Sequence, residues 1–187
     1  MPVCDRVALL VRSIEPILES LKALQLTVGR IQTVDARGTR ELYLGDAGRS
    51  GRLLLVQPID DESPYARALA RRGPGLHHIA FTTPDARGFT RAHPHWLLHP
   101  HSLESFPATG SLWLARPGIG TLVEVRQGEV SYADKPVVER LEVRVRSAAD
   151  AAAVEALSGA TGLHIGRGRM RLAGVTFDVR RLVGKLS

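Results

Sequence analysis

The stretch Leu53–Phe81, LLLVQPIDDESPYARALARRGPGLHHIAF, gives the clearest indication of the fold class. It begins as an apolar strand, passes through a turn rich in acids and proline, and continues as a short basic helix. Pro74 and Gly75 end that helix, and a second strand then begins at His77 and His78. A histidine at the start of a buried strand can contact a metal ion or a substrate. The stretch therefore predicts two strands joined through a helix, with a candidate site at the start of the second.

A strand followed by a helix occurs three times along the chain, and the first two pairs are each followed by a predicted hairpin. Ser13 and Ser147 are expected to cap the first and third of these helices. The pattern predicts an α+β fold of two βαβββ units, followed by a C-terminal βαββ extension. The strand–helix pairs are 6–12 with 14–26, 78–83 with 84–91, and 140–146 with 148–157; the hairpins are 39–44 with 52–57, and 112–116 with 121–126.

These units give the expected domain boundaries. Units 3–58 and 76–127 would form one domain over residues 1–130. Residues 131–187 would form a partial βαβ unit that ends in two strands around Ala173 and Gly174, the second reaching residue 181. A chain of 187 residues can bury a core for such an arrangement.

Composition excludes several classes of partner. Apolar residues make up 44% and charged residues 24%, as in ordinary globular proteins. The net charge of +6 comes almost wholly from scattered arginines, and aromatics reach only 5%, so we expect no nucleic-acid partner but leave room for an anionic ligand. No apolar run has the length of a membrane span or of a signal-peptide core, so no membrane partner is expected. The single cysteine, Cys4, excludes an internal disulfide and favours the cytoplasm.

Three segments carry a family resemblance. They are Gly75–Ile79 (GLHHI), Gly120–Val125 (GTLVEV) and the acidic Ser-Pro turn Asp61–Pro64 (DESP), in which Ser63 would cap the following helix. Together they resemble the methylmalonyl-CoA epimerase branch of the glyoxalase, or vicinal oxygen chelate, superfamily over about residues 3–127. The resemblance implies a cupped mixed sheet with a small-molecule pocket, metal ligands on the first and last strand of each unit, and a homodimer.

Only half of the family's metal ligands are present. His78 and Glu124 match ligand positions, whereas Arg6 stands in place of the first metal histidine and Leu54 in place of a Gln or Glu. Because an arginine stays protonated, Arg6 would repel a divalent cation and pair with Glu124 instead. One histidine and one carboxylate also fall short of the three protein ligands of a usual catalytic zinc site. We therefore expect no cofactor, with a divalent metal on His78 and Glu124 as the less favoured alternative.

The remaining positions suggest a rebuilt site. The family's Glu pair for proton transfer is replaced by Gln32 and Thr33, and an amide can hydrogen-bond a substrate but cannot act as a general base. In the rebuilt site Arg6 would bind a carboxylate or enolate oxygen, His78 would act as acid or base, and Glu124 would orient the substrate or accept the proton. Further ligand contacts are expected from Gln32, His77 and Trp113.

Three functions fit these residues. The first is an isomerase, lyase or dioxygenase type of enzyme that acts on a small carboxylate or acyl thioester through Arg6, His78 and Glu124. The second is a non-catalytic small-molecule binder of the resistance type, and the third is a metal-dependent epimerase or dioxygenase that takes missing ligands from His77 or a partner chain. Fold alone does not choose between them.

A separate group of histidines follows the second unit's helix. His93, His95, His99 and His101 flank Trp96 and an apolar pair. Four histidines could bind zinc or nickel, but no Cys or carboxylate spacing accompanies them. A polar loop and strand is the favoured interpretation.

Overall fold

The computed structural model describes residues 2–129, 136–158 and 163–184. Among these residues, none of the helices combines the length and the apolar character needed to span a bilayer. The elements up to residue 127 are β1 Val3–Leu10, α1 Glu15–Leu21, β2 Gln32–Val34, β3 Thr39–Leu44, β4 Arg52–Pro58, α2 Pro64–Arg72, β5 Gly75–Thr83, α3 Ala86–Ala92, β6 Leu97–Leu98, α4 Pro100–Thr109, β7 Ser111–Ala115 and β8 Leu122–Gln127. The C-terminal elements are β9 Val138–Val143, α5 Ala148–Ser158, β10 Leu163–Ile165, β11 Arg169–Leu172, β12 Val175–Asp178 and α6 Val179–Val183.

The first eight strands form one mixed sheet in the order β2-β3-β4-β1-β5-β8-β7-β6. Within each unit the first and last strands run parallel, β1 beside β4 and β5 beside β8, and the two predicted hairpins are antiparallel. The units join through the antiparallel pair β1 and β5 at the centre of the sheet. The predicted α+β class and its two βαβββ units are confirmed.

Each face of this sheet has its own apolar cluster. On the face that we call the inner face, Ala8, Leu10, Leu54 and Val56 pack with Ala68 of α2. On the opposite, outer face lies a larger cluster, which includes side chains of α1, α3 and the C-terminal elements. Apolar burial of this extent is the main term that favours folding. The helix α2 therefore covers part of the inner face and leaves the rest for polar groups.

The C-terminal strands form a second sheet in the order β10-β9-β11-β12. Leu141 and Met170 of this sheet belong to the same buried cluster as Val7 and Leu9 of β1, so the two sheets share a core. The proposed division at residues 130 and 131 stays a prediction. The expectation of a strand up to residue 181 is wrong, because the Asp178 side chain accepts a hydrogen bond from the backbone N–H of Arg181 and begins α6.

Two of the three serines predicted as helix N-caps have that role in the structure. Ser63 and Ser147 accept hydrogen bonds from backbone N–H groups three residues later, as expected of N-caps. Ser13 is no cap, since its hydroxyl donates to the Glu15 carboxylate 2.6 Å away and α1 begins without a side-chain cap. The segment that contains His93, His95, His99 and His101 was predicted as a polar loop and strand. Its end differs from that prediction, because Pro100 occupies the first turn of helix α4.

The backbone of Gly51 connects the two sheets through hydrogen bonds to both. Its φ of +70° favours glycine, its N–H donates to the Cys4 carbonyl, and its carbonyl accepts from the Val138 N–H at 2.8 Å. A Cβ at this position would lie 2.3 Å from the Cβ of Pro136, whereas a Cβ at Gly48, with φ +74°, would meet nothing within 4 Å.

The two glycines make a matched pair for a stability test. Both Gly51→Ala and Gly48→Ala are expected to lose about 1–2 kcal/mol because alanine is forced into a left-handed conformation. Gly51→Ala should lose about 1–3 kcal/mol more, since Pro136 must move. Urea unfolding followed by circular dichroism measures both losses. Equal losses for the two variants would show that the contact with Pro136 has no energetic weight.

Candidate active site

Two β-bulges place four polar side chains on the inner face at the centre of the sheet. Between the pairs Cys4–Phe81 and Arg6–Ala80, strand β1 has one extra residue, Asp5. Between the pairs Ala8–His78 and Leu9–Leu76, strand β5 has one extra residue, His77. A bulge lets two consecutive residues point to the same side. Asp5 and Arg6 therefore share the inner face with His77 and His78.

A buried ion network connects three strands of this face. The Arg6 guanidinium donates from Nη2 to Oε2 of Glu124 at 2.6 Å and from Nη1 to Oδ2 of Asp5 at 2.5 Å. Arg52 donates to the other oxygen of Asp5 at 2.8 Å, and the Ser111 hydroxyl donates to Oε1 of Glu124 at 2.9 Å. The side chains of Arg6, Asp5 and Glu124 are only 3–6% exposed. The expected pair of Arg6 and Glu124 is present, extended by Asp5 and Arg52.

The network keeps Arg6 charged despite its burial. Burial alone acts to lower the pKa of Arg6, but the carboxylates of Glu124 and Asp5 raise it above its ordinary value. Buried ion pairs of this kind persist only when further hydrogen bonds complete them, as Ser111 and Arg52 do here.

His77 and His78 form a neutral pair beside the network. Their Nδ1 atoms lie 2.9 Å apart, so one ring donates to the other. Burial, with a smaller effect of Arg72, lowers the pKa of His77 to about 4. Burial, His77 and Arg6 hold the pKa of His78 well below its ordinary value. Both rings are therefore neutral at pH 7, and each makes an aromatic contact, His77 with Tyr65 and His78 with the edge of Trp113.

The surroundings select the tautomer of His78. Its Nε2 lies 3.7 Å from Oε2 of Glu124, beyond hydrogen-bond distance. A lone pair on Nε2 would face a carboxylate, whereas an N–H there would be attracted to it. We therefore assign the proton of His78 to Nε2, with His77 donating from Nδ1 to Nδ1 of His78. His78 then offers a hydrogen-bond donor to the inner face.

Three donors on adjacent strands have no partner among the described residues. They are the buried atoms Nε of Arg6, Nε of Arg52 and Nε2 of His78, on β1, β4 and β5. A buried donor without a partner costs about 1–3 kcal/mol. Arg6 and Arg52 are direct neighbours in the sheet register. The inner face therefore has unused capacity to bind oxygen atoms.

The structure brings most of the predicted site residues together. Arg6, His78 and Glu124 are in one cluster, with His77 and Trp113 against His78. Gln32 is exposed on β2, the edge strand three positions from β1. The roles of all six residues remain predictions.

Sequence reasoning missed Asp5, Arg52 and Ser111. A signal for Asp5 existed, because Asp5-Arg6 and His77-His78 occupy the same place in the two units and both form bulges. The inward position of Arg52 follows from its register with Arg6 once the sheet is known, whereas the contact of Ser111 with Glu124 depends on the final packing.

The residues present do not fit a divalent metal ion. Both oxygens of Glu124 are hydrogen-bonded by Arg6 and Ser111, and the Arg6 guanidinium lies where a cation would bind. Leu54, on the inner side of β4, offers no donor atom. In the part of the chain that the structure describes, no three His, Cys, Asp or Glu side chains come together as a metal site. Usual catalytic zinc sites have three protein ligands.

A sequence profile of the Glyoxalase/Bleomycin resistance protein/Dioxygenase superfamily matches residues 5–95, which include β1, β5 and both bulges. Residues 5–95 are thus similar in sequence to this superfamily. The eight-stranded arrangement of two βαβββ units agrees with this similarity. No curated protein sequence matches the chain.

Several solved structures are similar to this chain at low sequence identity. A hypothetical protein from Bacillus halodurans is 20% identical, with a TM-score of 0.51 over 70% of this chain and 97% of that one. Methylmalonyl-CoA epimerase from Mycobacterium tuberculosis is 21% identical, with a TM-score of 0.48 over 70% and 88%. A Streptomyces coelicolor methylmalonyl-CoA epimerase variant in complex with 2-nitronate-propionyl-CoA is 21% identical, with a TM-score of 0.49 over 68% and 96%. The likeness to the Bacillus halodurans protein extends to the fold alone.

Proposed function

We propose that this glyoxalase-like protein binds a small carboxylate or acyl thioester on the inner face, without a resident divalent metal. The observation that carries the proposal is the set of three unpartnered buried donors on Arg6, Arg52 and His78. A ligand oxygen that accepts from them would remove the cost of leaving these N–H groups without acceptors. Carboxylate and thioester groups supply such oxygens.

The charges of the site suit an anionic or strongly polarised ligand. Arg6 and Arg52 balance Asp5 and Glu124, and Nη1 of the half-exposed Arg126 lies 3.6 Å from Asp5 as an additional positive charge. His78 is neutral and contributes an N–H without adding charge. The ligand would therefore meet a weakly positive, donor-rich surface in a buried setting where electrostatic interactions are strong.

Catalysis of proton transfer is the second candidate. It is favoured by one observation, the neutral His78 with Nε2 3.7 Å from a carboxylate. Glu124 could then accept the α-proton of the substrate, while Arg6 and the Nε2–H of His78 hydrogen-bond the resulting enolate oxygen, as an isomerase or lyase requires. The two candidates differ in the behaviour of Glu124→Gln: an enzyme loses turnover while the variant stays folded, whereas a binder loses only affinity.

The binding proposal is tested by titrating the purified protein with a panel of short carboxylates and acyl thioesters. Isothermal calorimetry gives the affinity, and Trp113 fluorescence reports the site because this ring contacts His78 at 5.0 Å between centroids. His78→Gln is expected to weaken the best ligand about tenfold, the effect of one lost hydrogen bond of about 1.4 kcal/mol. His164→Gln, at an exposed position of β10, is the matched control and should bind normally.

The fluorescence change should vanish in Trp113→Phe and persist in Trp96→Phe. Trp96 is buried and donates its indole N–H to the Ala153 carbonyl, away from the inner face. Binding that His78→Gln leaves unchanged would place the ligand elsewhere and refute the proposal.

A further inference from the structure

A cavity lies between the two sheets. Its volume is about 570 Å³, within the range of small-molecule sites. The large sheet contributes the end of β1, the start of β5 and the turn before β8, and the C-terminal part contributes the end of β9 with the segment after it and the start of α6. We call this cavity the intersheet cleft. It exists because the C-terminal elements pack beside the glyoxalase-like sheet.

Four arginines line the intersheet cleft: Arg72, Arg144, Arg146 and Arg180. Arg72 donates to the Gly120 carbonyl and Arg144 to the Arg167 carbonyl, so neither contact neutralises charge. Burial and the neighbouring Arg71 lower the pKa of Arg72, which agrees with a strongly positive environment. No carboxylate of the described residues forms an ion pair with any of these four arginines.

The one acidic residue that lines the intersheet cleft is already neutralised. Glu142 accepts two hydrogen bonds from Arg169, at 2.9 and 3.0 Å, and a third from the backbone N–H of Arg167. Arg140 lies 4.0 Å from the same carboxylate. The pKa of Glu142 is lowered by the bonds from Arg169, so it stays ionised and committed to them. Within the described parts of the chain, the four arginines that line the intersheet cleft therefore have no counter-charge.

We propose that the intersheet cleft binds a phosphate-type anion, either free or as part of a phosphorylated small molecule. Guanidinium groups match phosphate oxygens in geometry and charge, and several arginines around one cavity give a site for more than one negative charge. The cavity is larger than a single phosphate, and it contains space beside Gly73, Gly75 and Gly120, where an added Cβ would meet nothing within 4 Å. The proposal does not depend on the inner-face site, with which the intersheet cleft shares only His77.

Calorimetric titration with inorganic pyrophosphate at low ionic strength tests the intersheet cleft. The unaltered protein should bind one pyrophosphate, and Arg144→Gln/Arg146→Gln should bind it at least tenfold more weakly. Arg30→Gln/Arg91→Gln removes the same charge from two exposed positions outside the intersheet cleft and should change the affinity less than twofold. Arg72→Gln/Arg180→Gln repeats the test on the other side of the cavity if the first variant does not fold.

The outcomes separate local from general charge effects. Equal weakening in the variants of the intersheet cleft and in the control, or no binding by the unaltered protein, would overturn the proposal. A titration with ADP separates the two sources of phosphate: tighter binding than pyrophosphate indicates a phosphorylated small molecule, and equal binding indicates a free anion.

Discussion

Arg6→Leu is expected to lower the free energy of unfolding by about 3–5 kcal/mol, the usual effect of removing one partner from a buried ion pair. The substitution leaves Glu124 with the Ser111 hydroxyl and the more distant His78 ring, and leaves Asp5 with Arg52 and the more distant Arg126. The loss comes from the uncompensated negative charge more than from the missing contact, because leucine fills similar space. Urea unfolding followed by circular dichroism measures it.

A double-mutant cycle identifies the cause. Glu124→Leu alone should also destabilise the protein, and Arg6→Leu/Glu124→Leu should be less destabilised than the sum, because neither charge is then left alone. Arg40→Leu is the control, since its ion pair with Glu15 is partly exposed and should contribute about 1 kcal/mol or less. Additive losses in the double variant would mean that the two side chains do not form the pair.

Acid should destabilise the protein through the buried pair of His77 and His78. A histidine that is neutral in the fold and has a lowered pKa binds its proton only on unfolding. The histidine contribution is thus fully favourable above about pH 6.5 and is lost as pH falls toward the folded pKa, which for His77 is about 4. Between pH 7 and pH 4.5 the free energy of unfolding should fall by about 2–3 kcal/mol through His77, and further through His78.

Substitutions of His77 and His78 test whether this pair causes the pH dependence of stability. His77→Leu should remove part of the fall in stability between pH 7 and 4.5, and His77→Leu/His78→Leu should remove most of it. The exposed His164→Gln should leave the slope unchanged. The pair would be excluded as the source if the unaltered protein and the double variant lost stability equally over this range.

The strand and hairpin pattern was predictable because it rests on local signals. Alternating or continuous apolar runs located β3 and β4 within one residue and β9 within three, and Ser-Pro capping located the start of α2. The C-terminal end of the predicted helix over 14–26 is not α-helical, because Lys22–Leu24 forms a 3₁₀ turn and Gln25 has a φ of +51°. No apolar period distinguishes that turn from an α-helix.

The chemistry of the site was predictable only in outline. The pairing of Arg6 with Glu124 was predictable because the family resemblance places both residues at metal-ligand positions and a buried charge needs a partner. The bulges at Asp5 and His77 were not predictable from periodicity, since alternation places consecutive residues on opposite faces. The intersheet cleft depends on how two sheets pack, so four arginines distributed over residues 72–180 gave no local signal.

The metal content of the untagged protein, purified without chelator and measured by mass spectrometry after dialysis, shows whether the pair of Arg6 and Glu124 replaces a metal ion. If Arg6 and Glu124 occupy the position of the family's metal, we predict far less than one divalent ion per chain, with full ligand affinity retained. About one tightly bound zinc, manganese or cobalt ion per chain would show that the site does hold a metal. That result would restore the metal-dependent epimerase or dioxygenase hypothesis.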